Sequence, residues 1–151
     1  MKNTNFDNVK NSVELATFYV GDALCGIDIL QIQEINKLNM ETKVPQAPAY
    51  VQGILNLRGQ IVTIIDLGKK LGLGETDTFL DPRNVIVNSA GNYVGLMVKK
   101  IGDVVEADMS KKELIPSNMQ GIQGDYFSGV YKMDDVLIGI LDINKVLDTE
   151  D

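Results

Sequence analysis

Short stretches of alternating apolar and polar residues, separated by turn residues, run through most of the chain. The first, residues 13–20, is rich in β-branched and aromatic residues, and Gly21-Asp22 forms a candidate hairpin turn before a second stretch at residues 23–27. Similar stretches cover residues 53–57, 60–65, 84–87, 93–98, 102–107, 127–133 and 136–141. Many short strands at this spacing predict a mainly β protein built from small barrels or a sandwich.

Three short segments predict helical turns between the strands. The segment 28–35 begins with the acid-then-glutamine spacing of a capping box, and Ile29 and Ile32 would then share one helix face. Residues 66–71 and 142–147 each begin with an aspartate suited to cap a helix, and each carries a lysine near the C-terminal end, where the helix dipole favours a cation. The helices should therefore be short.

The chain contains an internal repeat. Residues 53–71 align without gaps on residues 129–147, and an earlier block, residues 26–35, matches residues 95–104. Each repeat contains a hairpin, a crossover, a second hairpin and an Asp-capped turn. The ordered recurrence of these blocks predicts two similar lobes with a seam between them, since two copies are too few for a solenoid.

Length and composition are those of one soluble globular domain. The chain has 151 residues, of which 44% are apolar and 23% charged. The first dozen residues are polar and lack the apolar core of a signal peptide, so residues 1–12 are predicted to be a flexible tail and residues 13–151 a single domain. No apolar run approaches the ~18 residues of a membrane span, so direct membrane insertion is not expected.

Charge and cysteine content limit the cellular compartment and the classes of binding partner that we expect. Cys25 is the only cysteine, which fits a reducing, cytoplasmic environment, and it is expected to be a small buried hydrophobic residue. The net charge is −7, and the Lys-Lys pairs are scattered among acidic residues. Nucleic-acid binding requires clustered cations, so a nucleic-acid partner is not expected. A small β-barrel nucleic-acid-binding protein stays as the alternative from another class.

The sequence lacks the residue patterns that usually indicate catalysis or metal binding. The chain has no histidine and therefore no imidazole for acid–base work, no Cys/His cluster for zinc, and no glycine-rich phosphate loop. Most carboxylates fall at predicted turns and caps, so capping and solvation explain them better than a hydrolytic pair does. We expect no catalytic residues, no metal and no cofactor, and interpret the chain as an interaction protein.

The tetrapeptide 56–59, Asn-Leu-Arg-Gly, is the most informative surface motif. Gly59 can supply the positive φ that a tight hairpin needs, which would put Arg58 at the hairpin tip. An arginine there offers a planar fork of donors to a partner's carboxylate. On this motif alone an ordinary solvated arginine on a turn is the favoured interpretation, and the interface interpretation stays open beside it.

The apolar face of Ile29 and Ile32 has two interpretations as well. Isoleucines at helical spacing usually belong to a core. In the repeat, however, Ile29 matches Val98 and Ile32 matches Ile101. Equivalent residues of two lobes could line a seam that accepts an apolar helix.

These segments resemble the CheW family of chemotaxis coupling proteins. Residues 26–35, GIDILQIQEI, resemble the family segment G-I-D-I-x-x-V-x-E-I. Residues 48–67, PAYVQGILNLRGQIVTIIDL, resemble P-x-[FY]-[IV]-x-G-[IV]-x-N-L-R-G-x-[IV]-[IV]-P-[IV]-x-[DN]-L. The likeness extends over residues 13–147, nearly the whole chain, and the block around the Asn-Leu-Arg-Gly motif is highly specific.

The resemblance implies both a fold and a role. The fold would be mainly β, with two five-stranded SH3-like β-barrels packed through a shared apolar core and with short helices. The role would be that of a non-catalytic adaptor that binds the regulatory domain of the histidine kinase CheA and the cytoplasmic tip of a methyl-accepting chemoreceptor. Such an adaptor would be cytoplasmic and recruited to membrane receptor arrays.

The resemblance also implies site residues. By position in the motifs, the receptor tip would contact Ile29, Ile32, Glu34 and Ile101 in a groove between the lobes. The hairpin residues Asn56, Arg58 and Gly59 would form an interface with either the kinase or the receptor. Kinase contacts in the first lobe would involve Val44 and Pro45.

Two departures from the family pattern carry expectations of their own. Thr63 stands where the family usually has proline, so its backbone N–H is expected to change pairing at a strand edge. Lys99 stands where an aspartate is common, which reverses a charge on the rim of the second lobe. A CheW-like module of a CheV-type adaptor, which adds a receiver domain, is an alternative; the end of the sequence at Asp151, soon after the last matched segment, argues against it.

Overall fold

The strands of this chain alternate between two sheets. The computed structural model describes residues 11–37, 41–115 and 124–148. Residues 1–10 of the predicted tail lie outside the described residues. The elements in these ranges are β1 (Ser12–Val20), β2 (Ala23–Asp28), β3 (Ile32–Asn36), β4 (Val51–Leu57), β5 (Gln60–Asp66), α1 (Leu67–Leu71), β6 (Arg83–Ser89), β7 (Asn92–Val98), β8 (Lys100–Asp108), β9 (Phe127–Met133), β10 (Val136–Leu141) and α2 (Ile143–Val146).

The first sheet has the strand order β8-β1-β2-β10-β9 and the second the order β3-β6-β7-β5-β4. Neighbouring strands are antiparallel except for the pairs β2–β10 and β5–β7, which are parallel. The predictions of a mainly β fold and of two five-stranded units are confirmed. None of the helices in the described ranges is long and apolar enough to cross a membrane.

Each sheet takes strands from both repeats, which the sequence did not predict. The first repeat supplies β1 and β2 to the first sheet and β3, β4 and β5 to the second, and the second repeat does the reverse. Replacing every strand by its repeat equivalent turns the order of one sheet into that of the other. The crossovers β2–β3 and β7–β8 are where the chain changes sheets, so neither repeat can complete a sheet alone.

A core shared by the two sheets holds them together. Phe18 and Cys25 of the first sheet lie fully buried in one cluster with Val87 and Leu96 of the second. Fully burying a side chain of this kind contributes about 1.5–3 kcal/mol. The prediction for Cys25 is confirmed, because its thiol is buried and desolvation raises its pKa to about 12. Each sheet also has a smaller apolar cluster of its own.

Equivalent glycines in the two repeats allow two close backbone contacts. Ile54 exchanges two 2.8 Å backbone hydrogen bonds with Thr42, and Val130 does the same with Glu113. A Cβ on Gly53 would lie 2.6 Å from the Thr42 carbonyl oxygen, and one on Gly129 would lie 2.6 Å from that of Glu113. The aligned glycines therefore leave room for the segments that pair with β4 and β9.

The predicted aspartate caps are present, but one predicted helix is not. Asp66 and Asp142 each accept a hydrogen bond from a backbone N–H in the first turn of their helix, at 3.3 Å in both cases. The prediction of a helical face over residues 28–35 is wrong: a single 3₁₀ turn, Ile29–Gln31, leads directly into β3. Pairing along β6 supplies backbone hydrogen bonds that a short helix would have to forgo.

The expectation for Thr63 is also wrong. Thr63 lies in β5, which pairs with β4 on one side and β7 on the other, so this strand is not at a sheet edge. Its backbone N–H is placed inside the sheet, where a donor is useful.

Candidate functional site

The β4–β5 hairpin projects Arg58 into solvent. Arg58 and Gly59 both have positive φ angles, 52° and 83°, as in the tight hairpin turns whose twist matches that of the strands. The Asn56 Oδ1 atom accepts a 3.0 Å hydrogen bond from the Gly59 N–H and fixes the turn. The predicted hairpin is thus present, with the additional feature that Arg58 itself adopts a left-handed conformation.

Arg58 forms an ion pair with Glu34, another of the predicted site residues. The Arg58 Nη1 atom donates to the Glu34 Oε1 atom at 2.5 Å, and the Asn36 Nδ2 atom donates to the other oxygen at 3.0 Å. These two hydrogen bonds lower the pKa of the Glu34 carboxyl group, the one from Arg58 having the larger effect. The arginine side chain is 73% exposed and the glutamate 23%, so much of the guanidinium group is free to meet solvent or a partner.

We call the cleft around this pair the Arg58 cleft. It has a volume of about 300 Å³, and its lining comprises Gln33, Glu34, Leu57, Arg58, Gln60, Val62, Ile86 and Tyr93. Val62 and Ile86 are buried residues of the second sheet's own apolar cluster. The cleft therefore has an apolar floor and a polar, paired rim.

A related cleft lies in the first sheet, and we call it the Met133 cleft. Its volume is about 370 Å³, and it is lined by Thr17, Tyr19, Leu24, Lys100, Ile101, Gly102, Asp103, Val105, Met133, Val136 and Ile138. In the repeat, Asp103 matches Glu34. The two clefts are repeat equivalents, although nothing in the sequence alone shows that these residues come together.

The predicted receptor residues Ile29, Ile32 and Ile101 lie at the two crossovers. Ile29 is in the 3₁₀ turn, whose Asp28 cap accepts a 2.9 Å hydrogen bond from the Leu30 N–H. Ile32 opens β3 and Ile101 lies near the start of β8. Both are half-buried and pack against the shared core. Each of these two residues therefore packs on the core with part of its side chain and exposes the rest.

A third cleft, the crossover cleft, adjoins Ile101. It has a volume of about 430 Å³ and is lined by Leu80, Asp81, Arg83, Lys99, Lys100 and Ile101. Sequence reasoning identified only Ile101 and the unusual charge of Lys99. The adjacent apolar pair Phe79-Leu80, between charged residues, was the signal that could have identified the rest.

The predicted kinase residues Val44 and Pro45 lie elsewhere. They belong to the loop that leads into β4, and both are exposed, Val44 to 40%. They line neither the Arg58 cleft nor the crossover cleft. Within the described ranges, no group of three or more side chains is arranged to hold a metal ion.

Comparison with known proteins identifies what this arrangement resembles. The family model of the CheW-like domain matches residues 14–151. The chemotaxis protein CheW of Treponema pallidum is 34% identical, covering 91% of this chain and 84% of the relative, and that of Bacillus subtilis is 30% identical, covering 94% and 91%. The crystal structure of the scaffolding protein TtCheW from Thermoanaerobacter tengcongensis superposes with a TM-score of 0.82 at 31% identity, covering 91% of this chain and 89% of that one.

Proposed function

This chain belongs to the CheW-like domain family, and from that premise we propose that it joins chemoreceptors to the histidine kinase CheA through two separate surfaces. Membership of the family makes it a non-catalytic chemotaxis adaptor. An adaptor that holds two partners at once raises their effective concentration. A conformational change in the receptor then alters kinase activity only through changed contacts at one of these surfaces.

The proposed receptor surface comprises Ile29, Ile32, Glu34 and Ile101. The observation that carries the proposal is that Ile32 and Ile101, equivalent in the repeat, are both half-buried at the points where the chain crosses between sheets. Their outward sides offer apolar contact beside the seam, which suits the apolar face of a helical receptor tip.

We assign the Asn56–Arg58–Gly59 hairpin to the same surface. The ion pair between Arg58 and Glu34 joins the hairpin to the receptor residues through a direct contact. Because the guanidinium group is planar and carries five N–H donors, it can keep Glu34 and still bind a partner's carboxylate.

The proposed kinase surface lies in the first repeat, around Val44 and Pro45, and would meet the regulatory domain of CheA. The exposure of Val44 and its separation from the Arg58 and crossover clefts support two surfaces that are occupied together. In this proposal residues 13–151 act as one two-lobed domain behind a tail of residues 1–12. The protein is cytoplasmic and is recruited to receptor arrays at the membrane.

Reconstitution tests the proposal. Receptor fragment, CheA and the full chain are combined, and CheA autophosphorylation is measured with and without the chain, together with each binary affinity. We expect Ile101→Ala to weaken receptor binding about tenfold with CheA binding unchanged. Val44→Asp should do the opposite, and both variants should keep a single cooperative melting transition.

Competition between the receptor fragment and the CheA regulatory domain for binding to the chain would contradict the proposal. A kinase whose autophosphorylation does not respond to the receptor in the presence of the chain would contradict it equally.

A further inference from the structure

The crossover cleft concentrates positive charge on an acidic chain. The chain has a net charge of −7, yet this cleft is lined by Arg83, Lys99 and Lys100 against one carboxylate, Asp81. Arg83 is committed to the structure, because its Nη1 atom lies 3.0 Å from the Asp81 Oδ1 atom and also donates to the Asp81 carbonyl oxygen at 2.8 Å. The positive charge offered to a partner is therefore that of the two lysines.

Lys99 is weakly held. The Lys99 Nζ atom lies 3.8 Å from the Asp22 Oδ1 atom, and that aspartate is fully exposed. Exposed ion pairs at such distances contribute little because water screens them, so a better-placed carboxylate can replace this one. At the other crossover the repeat equivalents of the two lysines are the uncharged Leu30 and Gln31, so the cation pair belongs to one crossover only.

Apolar side chains lie beside the lysines. Leu80 is 63% exposed at the end of the 3₁₀ turn Thr78–Leu80, and this turn is fixed by the Asp77 carboxylate, which accepts a 2.9 Å hydrogen bond from the Phe79 N–H. Ile101 forms the other apolar wall and packs against the shared core. A rigidly presented apolar surface of this kind contributes to binding when a partner covers it.

We propose that the crossover cleft selects a receptor segment in which an apolar side chain is flanked by carboxylates. The apolar side chain would lie between Leu80 and Ile101, and the carboxylates would pair with Lys99 and Lys100. On a helix, residues three or four positions apart lie on one face, so one helical turn can present both features. This inference rests on the proposed receptor surface and adds the chemistry of its partner.

The test measures binding of the full chain to the soluble cytoplasmic hairpin of a chemoreceptor from the same organism, at about 50 mM and about 500 mM NaCl. The Lys99→Glu, Lys100→Glu double variant should bind about tenfold more weakly at low salt, and the difference should shrink to about twofold at high salt. The matched control is Lys111→Glu, Lys112→Glu, which changes another exposed Lys-Lys pair by the same charge. The control should bind as the unmodified chain does.

The outcomes separate this inference from the proposed function. Equal weakening by both double variants, or weakening by neither, would overturn the role of the cleft while leaving receptor binding intact. A receptor hairpin that does not bind the unmodified chain would overturn the proposed function and this inference with it. Recovery of binding by the Lys99→Glu, Lys100→Glu variant toward a hairpin whose tip carboxylates are replaced by lysine would support the pairing directly.

Discussion

The Arg58 cleft and the Met133 cleft occupy equivalent places in the two sheets but have different rims. Five pairs of their lining residues are repeat equivalents, namely Gln33 and Gly102, Glu34 and Asp103, Leu57 and Met133, Gln60 and Val136, and Val62 and Ile138. Both clefts end on a buried apolar floor that belongs to the sheet's own cluster. The packing that folding requires is thus repeated in both sheets.

The rims differ at the hairpin position. Glu34 forms an ion pair with Arg58, whereas the repeat equivalents Asp103 and Asp134 are both carboxylates. Asp134 has a φ of 55° and Arg58 one of 52°, so the two hairpins share their backbone shape at this position. The repeat therefore keeps the backbone and the apolar floor, whereas the exposed rim differs in charge.

Substitutions in the apolar floors of the two clefts should give the largest losses of stability. Val62 and Ile138 are 1% and 0% exposed. We expect Ile138→Ala to lower the free energy of unfolding by about 3 kcal/mol and Val62→Ala by about 2 kcal/mol, because each removes buried methyl groups and leaves a cavity. Urea unfolding measures both, and a loss below about 1 kcal/mol at Ile138 would mean that the two floors are not packed alike.

Substitutions of the aligned glycines should have the next largest effect on stability. Gly53→Ala and Gly129→Ala should each lower the free energy of unfolding by about 2 kcal/mol, since a methyl group at either position meets a backbone carbonyl oxygen. Gly124→Ala is the control, because a Cβ at Gly124 has no atom within 4 Å. Thermal melts of the three variants would argue against the pseudo-symmetry if only one of the first two were destabilised.

The sequence predicted the individual elements of this molecule better than it predicted which elements pair with one another. Alternation and turn residues identified the hairpins, and the aspartates at 66 and 142 identified the caps, because these features are local. The exchange of strands between repeats was missed because alternation shows which face of a strand is buried but not which strand pairs with it.

The same limit applies to the site. Glu34 and Arg58 were each nominated through the family resemblance, but their ion pair joins residues 24 positions apart and depends on β3 lying near the hairpin. Leu80 and Arg83 were missed because only the folded chain brings the segment at the start of β6 to the β7–β8 crossover. Local chemistry was predictable, whereas long-range proximity needed the structure.

Removing the ion pair makes the Arg58 cleft more like the Met133 cleft. Arg58→Ala should lower the free energy of unfolding by less than about 1 kcal/mol, because the arginine side chain is largely exposed and its pairing is screened by solvent. Urea unfolding at low and high salt is the measurement, with Arg83→Ala as a contrast in which backbone contacts are also lost. A loss above about 2 kcal/mol at Arg58 would mean that the pair holds β3 in place.

The converse change builds an ion pair into the Met133 cleft. Asp134→Arg places an arginine at a position with the backbone shape of Arg58, and the repeat equivalent of Glu34 is Asp103. We expect stability to rise by about 0.5 kcal/mol at low salt, and we expect Asp103→Asn to abolish the gain in a double-mutant cycle. A gain that survives Asp103→Asn would come from reduced overall negative charge rather than from a new pair.

The smallest effect is on the protonation of Glu34. Because Arg58 and Asn36 donate hydrogen bonds to its carboxylate, the pKa of Glu34 in the folded chain lies below its usual value of 4.5. The pair therefore contributes to stability above the unfolded-state pKa, and the contribution is lost as the pH falls through the folded-state pKa. Carbon-detected NMR titration of the carboxyl group should show this depressed pKa, and Arg58→Ala should raise it toward the usual value. An unchanged Glu34 midpoint in the variant would mean that Asn36 alone stabilises the carboxylate, and the rim of the Arg58 cleft would then owe nothing to the arginine.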